Sequence, residues 1–242
     1  MMKPKSQSKT LFYRDSGFTI IESLIAMVVV SILLVSITPI LVLSTAIRVQ
    51  SRRVEKATHA ANTFIDGIKT GSIVTGSSTA PSKKITLDPT TVRTSADYLI
   101  GITQMPVPKS KSDVDVNLYL FKEDGKTCIA SDSACQPNHT NLFNEFYIQA
   151  MPIIVSGIHP KTSGYRLAVR VYRSDVDFSK PLLASTSNAK KVASSVVSGI
   201  GNQQTPLIER TVDIAHSNTT FQALCYRLGL AKDQDGNNQS CQ

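Results

Sequence analysis

Gly17-Phe18-Thr19-Ile20-Ile21-Glu22 stands at the head of an apolar run that continues to Ile47, and Glu22 is the only carboxylate in it. From Ser23 to Ile47, 25 residues carry no charge. At a rise of about 1.5 Å per residue, a helix of that length covers about 37 Å, enough to cross a hydrocarbon core of roughly 30 Å. A carboxylate in such a segment is expensive. It must either reach the aqueous interface or be paired with an opposite charge.

The residues before the run are polar and basic, with Lys3, Lys5, Lys9 and Arg14 against Asp15. A secretory signal has the opposite order, with a shorter apolar core followed by a small-residue cleavage site. Here a cut after Gly17 would remove the polar leader and leave the apolar anchor on the mature chain. The pattern Gly17-Phe18-Thr19-Ile20-Ile21-Glu22-Ser23-Leu24 resembles the class III leader of type IV prepilins and pseudopilins. The resemblance implies cleavage between Gly17 and Phe18 by a membrane aspartic peptidase, which then methylates the new amine of Phe18. It places Glu22 at the fifth mature position, where the family carries its glutamate. The implied role is pairing with the Phe18 amine, in the same or a neighbouring subunit, which fixes the stagger of a filament. Pro39 falls where many members have a helix-bending proline. Independently of the family, proline removes a backbone hydrogen bond and crowds the preceding turn, so Pro39 is expected to kink the helix, with Ser36 and Thr38 partly satisfying the freed groups. The plainer alternative is a simple transmembrane helix with a tolerated proline and a snorkelling Glu22.

The apolar pattern outlasts the membrane run. Ile47, Val54, Ala57, Ala61, Phe64, Ile65 and Ile68 form one stripe at helical spacing. Arg48, Arg52, Glu55, Lys56, His59, Asn62, Asp66 and Lys69 fill the other face. Gly71 is the expected C-cap, and Gly67 is a weak point or an earlier stop. The expected organisation is therefore a cleaved leader over 1–17, a long helix over 18–71 and a globular domain over 72–242. The helix is apolar all round in its first half and one-sided in its second.

Within the globular part, 72–112 is rich in Ser, Thr, Pro and Lys and reads as an irregular connection. Val114–Leu120 alternates as a half-buried strand, followed by a turn at Glu123-Asp124-Gly125-Lys126. Glu145–Ser156 is a second strand, bent or bulged at Pro152. Tyr165–Arg173 is a third, with Arg166, Arg170 and Arg173 read as a row facing away from its apolar residues. Such a row is either a solvated face or a binding surface for an acidic glycan. Leu207–Ala215 is a fourth strand, Phe221–Leu230 a short helix or strand, and Ala184–Gln204 an exposed insertion. Consecutive strands with short connections argue an antiparallel sheet. The fold class is α+β, a long N-terminal helix packed on that sheet, as in pilins.

The net charge is +8, of which +3 lies in residues 1–17. Arg48, Arg52, Arg53 and Lys56 form the dense basic cluster directly after the apolar run, which points to acidic lipid headgroups rather than nucleic acid. Charge on both sides of the run balances, so orientation is not set by the positive-inside rule. The family resemblance and the cysteines place the C-terminal domain outside the cytoplasm. Cys128/Cys135 and Cys225/Cys241 are candidate disulfides that would close small loops, although the spacing leaves all three pairings open and free thiols as the alternative. Scattered histidines and the absence of CxxC argue against zinc, and Asp233–Asn237 resembles a calcium loop only in part. Asn138, Asn218 and Asn238 begin N-x-[ST] triplets, a short and often fortuitous pattern. No cofactor is expected and no enzyme signature is present.

Residues 46–55 and 64–71 resemble cyanobacterial pseudopilins of the hormogonium polysaccharide secretion group, B-type. The implied function is that of a minor pilin or pseudopilin acting in motility, adhesion or polysaccharide export. The implied partners are other pilin subunits, the prepilin peptidase/methylase, the pilus assembly platform, membrane lipid and a polysaccharide. The implied route is a single-pass inner-membrane precursor, then a pilus, a periplasmic pseudopilus or the cell surface. The competing reading is a membrane-anchored extracytoplasmic binding domain that does not polymerise.

Overall fold

The computed structural model describes residues 19–73, 84–87, 104–113, 116–138, 140, 142–157, 163–186, 189–192, 201–215, 217–228, 234–235 and 237. The element order is α1 (Ile20–Lys69), β1 (Ile85–Leu87), β2 (Leu118–Phe121), β3 (Thr127–Ile129), β4 (Phe146–Val155), β5 (Tyr165–Arg173), β6 (Ile208–Ile214) and α2 (Phe221–Leu228). Two compact units, residues 1–45 and 46–242, divide the chain within α1.

Helix α1 ends as its sequence dictates. Gly71 takes φ 75°, a conformation that costs glycine nothing, and its N–H donates to the Ile68 carbonyl. The Ile73 N–H and the Ser72 hydroxyl both donate to the Gly67 carbonyl. A Cβ on Gly67 would lie 2.6 Å from Ile73 Cδ1. Gly67 is thus no weak point: it admits Ile73, which folds back against the core.

The strands form one sheet in the order β3-β2-β4-β5-β6, antiparallel throughout, with β1 added parallel to β4. The fold is α+β, a long N-terminal helix packed on an antiparallel sheet. The helix contributes Ala57, Ala60, Ala61, Phe64, Ile65 and Ile68 to a cluster that includes Ile148, Ala150, Leu167, Val169 and Val171. Phe64 meets Tyr119 with ring centroids 5.1 Å apart. This is one row of each strand's period-two alternation.

The other row is buried as well, which corrects three expectations. Leu118, Leu120, Tyr147 and Tyr172 pack under Val107, Val176, Phe178 and Leu182, while Met151, Ile153 and Ala168 cluster with Met105 and with Ile85 of the neighbouring β1. The half-buried strand expected over Val114–Leu120 is a strand over Leu118–Phe121 and is buried on both sides. Arg166, Arg170 and Arg173 are all buried, and so do not form a solvated row or an open binding face. Nor do they share one face. Arg173 lies opposite Phe146, on the helix side, because it is an odd number of residues from Arg166 and Arg170. Ala184 and Ser185, expected in an exposed insertion, are buried too.

Strand β4 has no bulge at Pro152. Its pairing with β5 runs unbroken from Phe146↔Arg173 to Ile153↔Arg166, with Pro152 opposite Leu167. The Ala150 and Ser156 N–H groups point to the edge shared by β2 and β1, donating to Asn117 and Leu87. By alternation Pro152 faces that same edge, in the gap after β2's last pair at Gln149 and before β1's first at Ile153. The missing donor falls where no ladder bond is required. Strands β1 and β3 were not expected, the first lying in a stretch read as irregular.

Candidate assembly surface

Helix α1 begins at a side-chain cap. Thr19 precedes its first residue, its carbonyl accepts from the Glu22 and Ser23 N–H groups, and its Oγ1 accepts from Glu22 N at 3.3 Å. Glu22 is the third helical residue, so Thr19-Ile20-Ile21-Glu22 has the spacing of a capping box. A carboxylate in the first turn also lies at the favourable end of the helix dipole. The sequence reading weighed Glu22 as a snorkelling charge or as the partner of the Phe18 amine and missed this local position.

From Ile20 to Leu43 the large apolar side chains are exposed on every side of the helix, Ile20 at 87% and Val35 at 74%. This helix is long and apolar enough to cross a membrane. Five of its hydroxyls bond back to the helix. The hydroxyls of Ser23, Ser31, Ser36, Thr38 and Thr45 donate to the carbonyls of Ile20, Met27, Leu33, Leu34 and Val42 respectively. Back-bonding of this kind satisfies each hydroxyl without solvent, as an apolar surrounding demands. The helix continues through Pro39. The carbonyl that proline leaves without its usual donor is that of Val35, whereas Ser36 and Thr38 serve the two carbonyls before it.

Gly17 and Phe18, the expected cleavage junction, lie outside the described residues. Cys128 and Cys135 are joined in a disulfide with Cα atoms 5.9 Å apart, tying β3 to the turn after it. Cys225 is disulfide-bonded, and Cys241 lies outside the described residues. So do Asp233 and Gly236 of the Asp233–Asn237 segment and the loop between Gly157 and Ser163.

Past the apolar run, α1 carries a feature the sequence stripe did not reveal. Gln50 and Arg53 are buried among the head's residues despite their polarity. The Arg53 guanidinium stacks 4.3 Å from the Phe143 ring centroid. Burial, followed by the nearby Arg173 charge, holds Arg53 below the usual arginine value, with Asp175 acting in the other direction. Arg53 therefore does not belong with the exposed members of the basic cluster. The signal for its burial was present in its spacing of four from Ala57, on the flank of the stripe.

A second buried group clamps the head. Arg170 donates through Nε to Glu209 at 2.7 Å, and through Nη1 to Gln149 Oε1 at 2.8 Å and the Met105 carbonyl at 3.0 Å. Glu209 also accepts from the Ser185 N–H and hydroxyl, and Gln149 Nε2 donates to the Pro106 carbonyl at 2.6 Å. These contacts fasten two loops to the sheet face opposite α1. They leave no open chemistry: both charged side chains are fully enclosed.

No curated protein and no solved structure matches the chain. Residues 13–38, which include Gly17, Phe18, Glu22 and the start of α1, match the family model described as the prokaryotic N-terminal methylation motif.

Proposed function

We propose that this protein is a structural subunit of a pilin-like filament, a minor pilin or pseudopilin, inserted as a single-pass inner-membrane precursor and assembled through α1. The observation that carries this reading is the methylation motif set directly on a helix whose apolar side chains are exposed all round up to Leu43. A head domain folded on the second half of the helix leaves the first half free to pack among neighbouring copies. In this reading the prepilin peptidase cleaves after Gly17 and methylates Phe18. Glu22 pairs with the Phe18 amine, which offsets part of the cost of enclosing both charges and sets the stagger between subunits. Pro39 bends or loosens the helix so that subunits can pack. Motility, adhesion and polysaccharide export are the processes such a filament would serve, with the peptidase, the assembly platform and other pilins as its partners.

Mass spectrometry of the N-terminal peptide tests the processing step: a mature chain starting at methylated Phe18 is expected, and an intact Met1 leader in the membrane fraction would sink the proposal. The place of Glu22 in the first turn supports a second reading, a membrane-anchored binding domain in which Glu22 only favours the start of the helix. Filaments from the native chain separate the two readings, and Glu22→Gln then separates the carboxylate's charge from its place in the first turn. Glutamine still fills a capping box but carries no charge. Processed subunits that insert yet yield no filaments are expected, both for Glu22→Gln and for Glu22→Val. Filament yield at the wild-type level from Glu22→Gln would overturn the role of its charge in the stagger, and a native chain that yields no filaments would leave the anchored-domain reading standing.

A further inference from the structure

A cleft of about 260 Å³ opens on the head beside the start of the docked half of α1, lined by Val49, Arg52, Arg53, Lys56 and Phe143. Three of its five lining residues are cations, and among the described residues none of the three has a carboxylate partner within ion-pair distance. Arg53 is only 4% exposed, and its Nη1 is buried with no hydrogen-bond partner among the described residues. An unpaired buried guanidinium N–H costs free energy, and the uncompensated charge that carries it favours an anion in the adjoining cleft. Lys56 donates to Asn144 Oδ1, and Asn144 Nδ2 in turn donates to Glu123 at 2.5 Å, so the ammonium is held in place beside the cleft without being neutralised. Two apolar side chains complete the lining, Val49 at 46% exposure and Phe143 at 53%.

A free inorganic anion would use the cations and leave Val49 and Phe143 in water. An anion that carries its own apolar body would use both. Val49 and Arg52 follow the last residue of the apolar run, Ile47, by two and five positions. We propose that this cleft is a binding site for one acidic phospholipid, with its phosphate against Arg52, Arg53 and Lys56 and the upper part of its acyl chains against Val49 and Phe143. The sequence placed a diffuse basic cluster near headgroups. The folded head sharpens this to a bounded site with a buried arginine, supplied partly by Phe143 from a distant loop. The site rests on the apolar run lying in a membrane and not on polymerisation. A subunit that never assembles would still hold its lipid.

The test is native mass spectrometry of the full-length chain, released from vesicles of equal parts phosphatidylcholine and phosphatidylglycerol, together with titration by dioctanoyl-phosphatidylglycerol, dioctanoyl-phosphatidylcholine and inorganic phosphate. One phosphatidylglycerol per chain is expected to be retained over phosphatidylcholine, with inorganic phosphate binding at least about tenfold more weakly than the short-chain lipid. Arg52→Gln with Lys56→Gln, both at exposed positions, should weaken phosphatidylglycerol binding roughly thirtyfold, the factor for two cations beside an anionic headgroup. Arg53→Gln should weaken it further, but that change also touches the fold, so the exposed pair carries the decision. Equal retention of the two lipids, an unaffected double variant, or phosphate binding as tight as the lipid would each overturn the site. Repeating the measurement on Glu22→Gln keeps it separate from assembly: lipid retention should be unchanged there, whatever becomes of the filaments.

Discussion

The two faces of the sheet are equally buried but are held by different means. Toward α1 the contacts are apolar side chains interdigitated between one helix and one row of each strand. On the far side, loops from 104–107 and 176–185 lie over the sheet, fastened by an enclosed ion pair, an amide and the Tyr172 hydroxyl. A helix arrives with its backbone hydrogen bonds already made, so apolar contact is enough to hold it. A loop brings unsatisfied carbonyls and N–H groups that must find partners under cover. The polar groups on the far face meet that need: the Met105, Pro106 and Leu183 carbonyls and the Ser185 N–H are each met by a sheet side chain.

The comparison breaks most visibly at Phe64, which is fully buried against Tyr119. Phe64→Ala removes a ring and leaves a cavity, for an expected loss of about 4 kcal/mol. Thermal or urea unfolding of the full chain in detergent would measure it. Ile32→Ala, on the exposed half of the same helix, should leave head stability within about 0.5 kcal/mol of wild type. A small loss at Phe64 would mean the helix is not what holds that face.

On the far face Glu209→Ala strands Arg170 under cover, and a loss of about 3 kcal/mol is expected. Replacing both partners, as in Arg170→Met with Glu209→Met, should recover most of that loss, because the enclosed charges gain little beyond offsetting their own desolvation. A double variant as unstable as the single would assign the loss to the loops, which would have lost Ser185 and Met105 as anchored points.

The same contrast explains what could be read from the chain. The helix-facing side was legible because both partners repeat locally: Ala57, Ala61, Phe64 and Ile68 at helical spacing, and Leu167, Val169 and Val171 at strand spacing. The bounds of β5 and the cap at Gly71 followed from the same local rules. Arg166 and Arg170 were misread because alternation says which residues share a face, not what covers it. The cover comes from Met105, 65 residues away, and from Ser185, and no local pattern announces it. Strands β1 and β3, three residues each, are too short to show a period and exist because β4 and β2 offer them an edge. At the candidate assembly segment, the offset between Gly17 and Glu22 could be read directly from the chain, and both fall within the motif matched over residues 13–38. The capping bond at Thr19 was also written in the sequence, as T-x-x-E, but was overshadowed by the cost of the charge.

The finest test lies in two tyrosines of the far face. The Tyr172 hydroxyl donates to the Leu183 carbonyl at 2.8 Å, whereas the Tyr147 hydroxyl is buried without a partner among the described residues. Tyr172→Phe should therefore cost about 1 kcal/mol, and Tyr147→Phe should be neutral or slightly stabilising, since it removes an unsatisfied group and keeps the ring packed on Phe178. Their pH dependence gives an independent reading. Burial, followed by the nearby Glu145 charge, pushes Tyr147 from an ordinary value of 10.0 up to about 12. A raised value means the fold holds this proton more tightly than the unfolded chain does. Its contribution is complete below pH 10 and is lost as the pH climbs toward 12. Burial pushes Tyr172 upward as well, against a smaller opposing pull from Arg170. Unfolding followed across that window, with phenolate absorbance as the second signal, should show a shallower decline for Tyr147→Phe than for the native chain. An unchanged slope would mean that the Tyr147 hydroxyl already reaches water, and that loops on this face cover the sheet less completely than the helix covers the other.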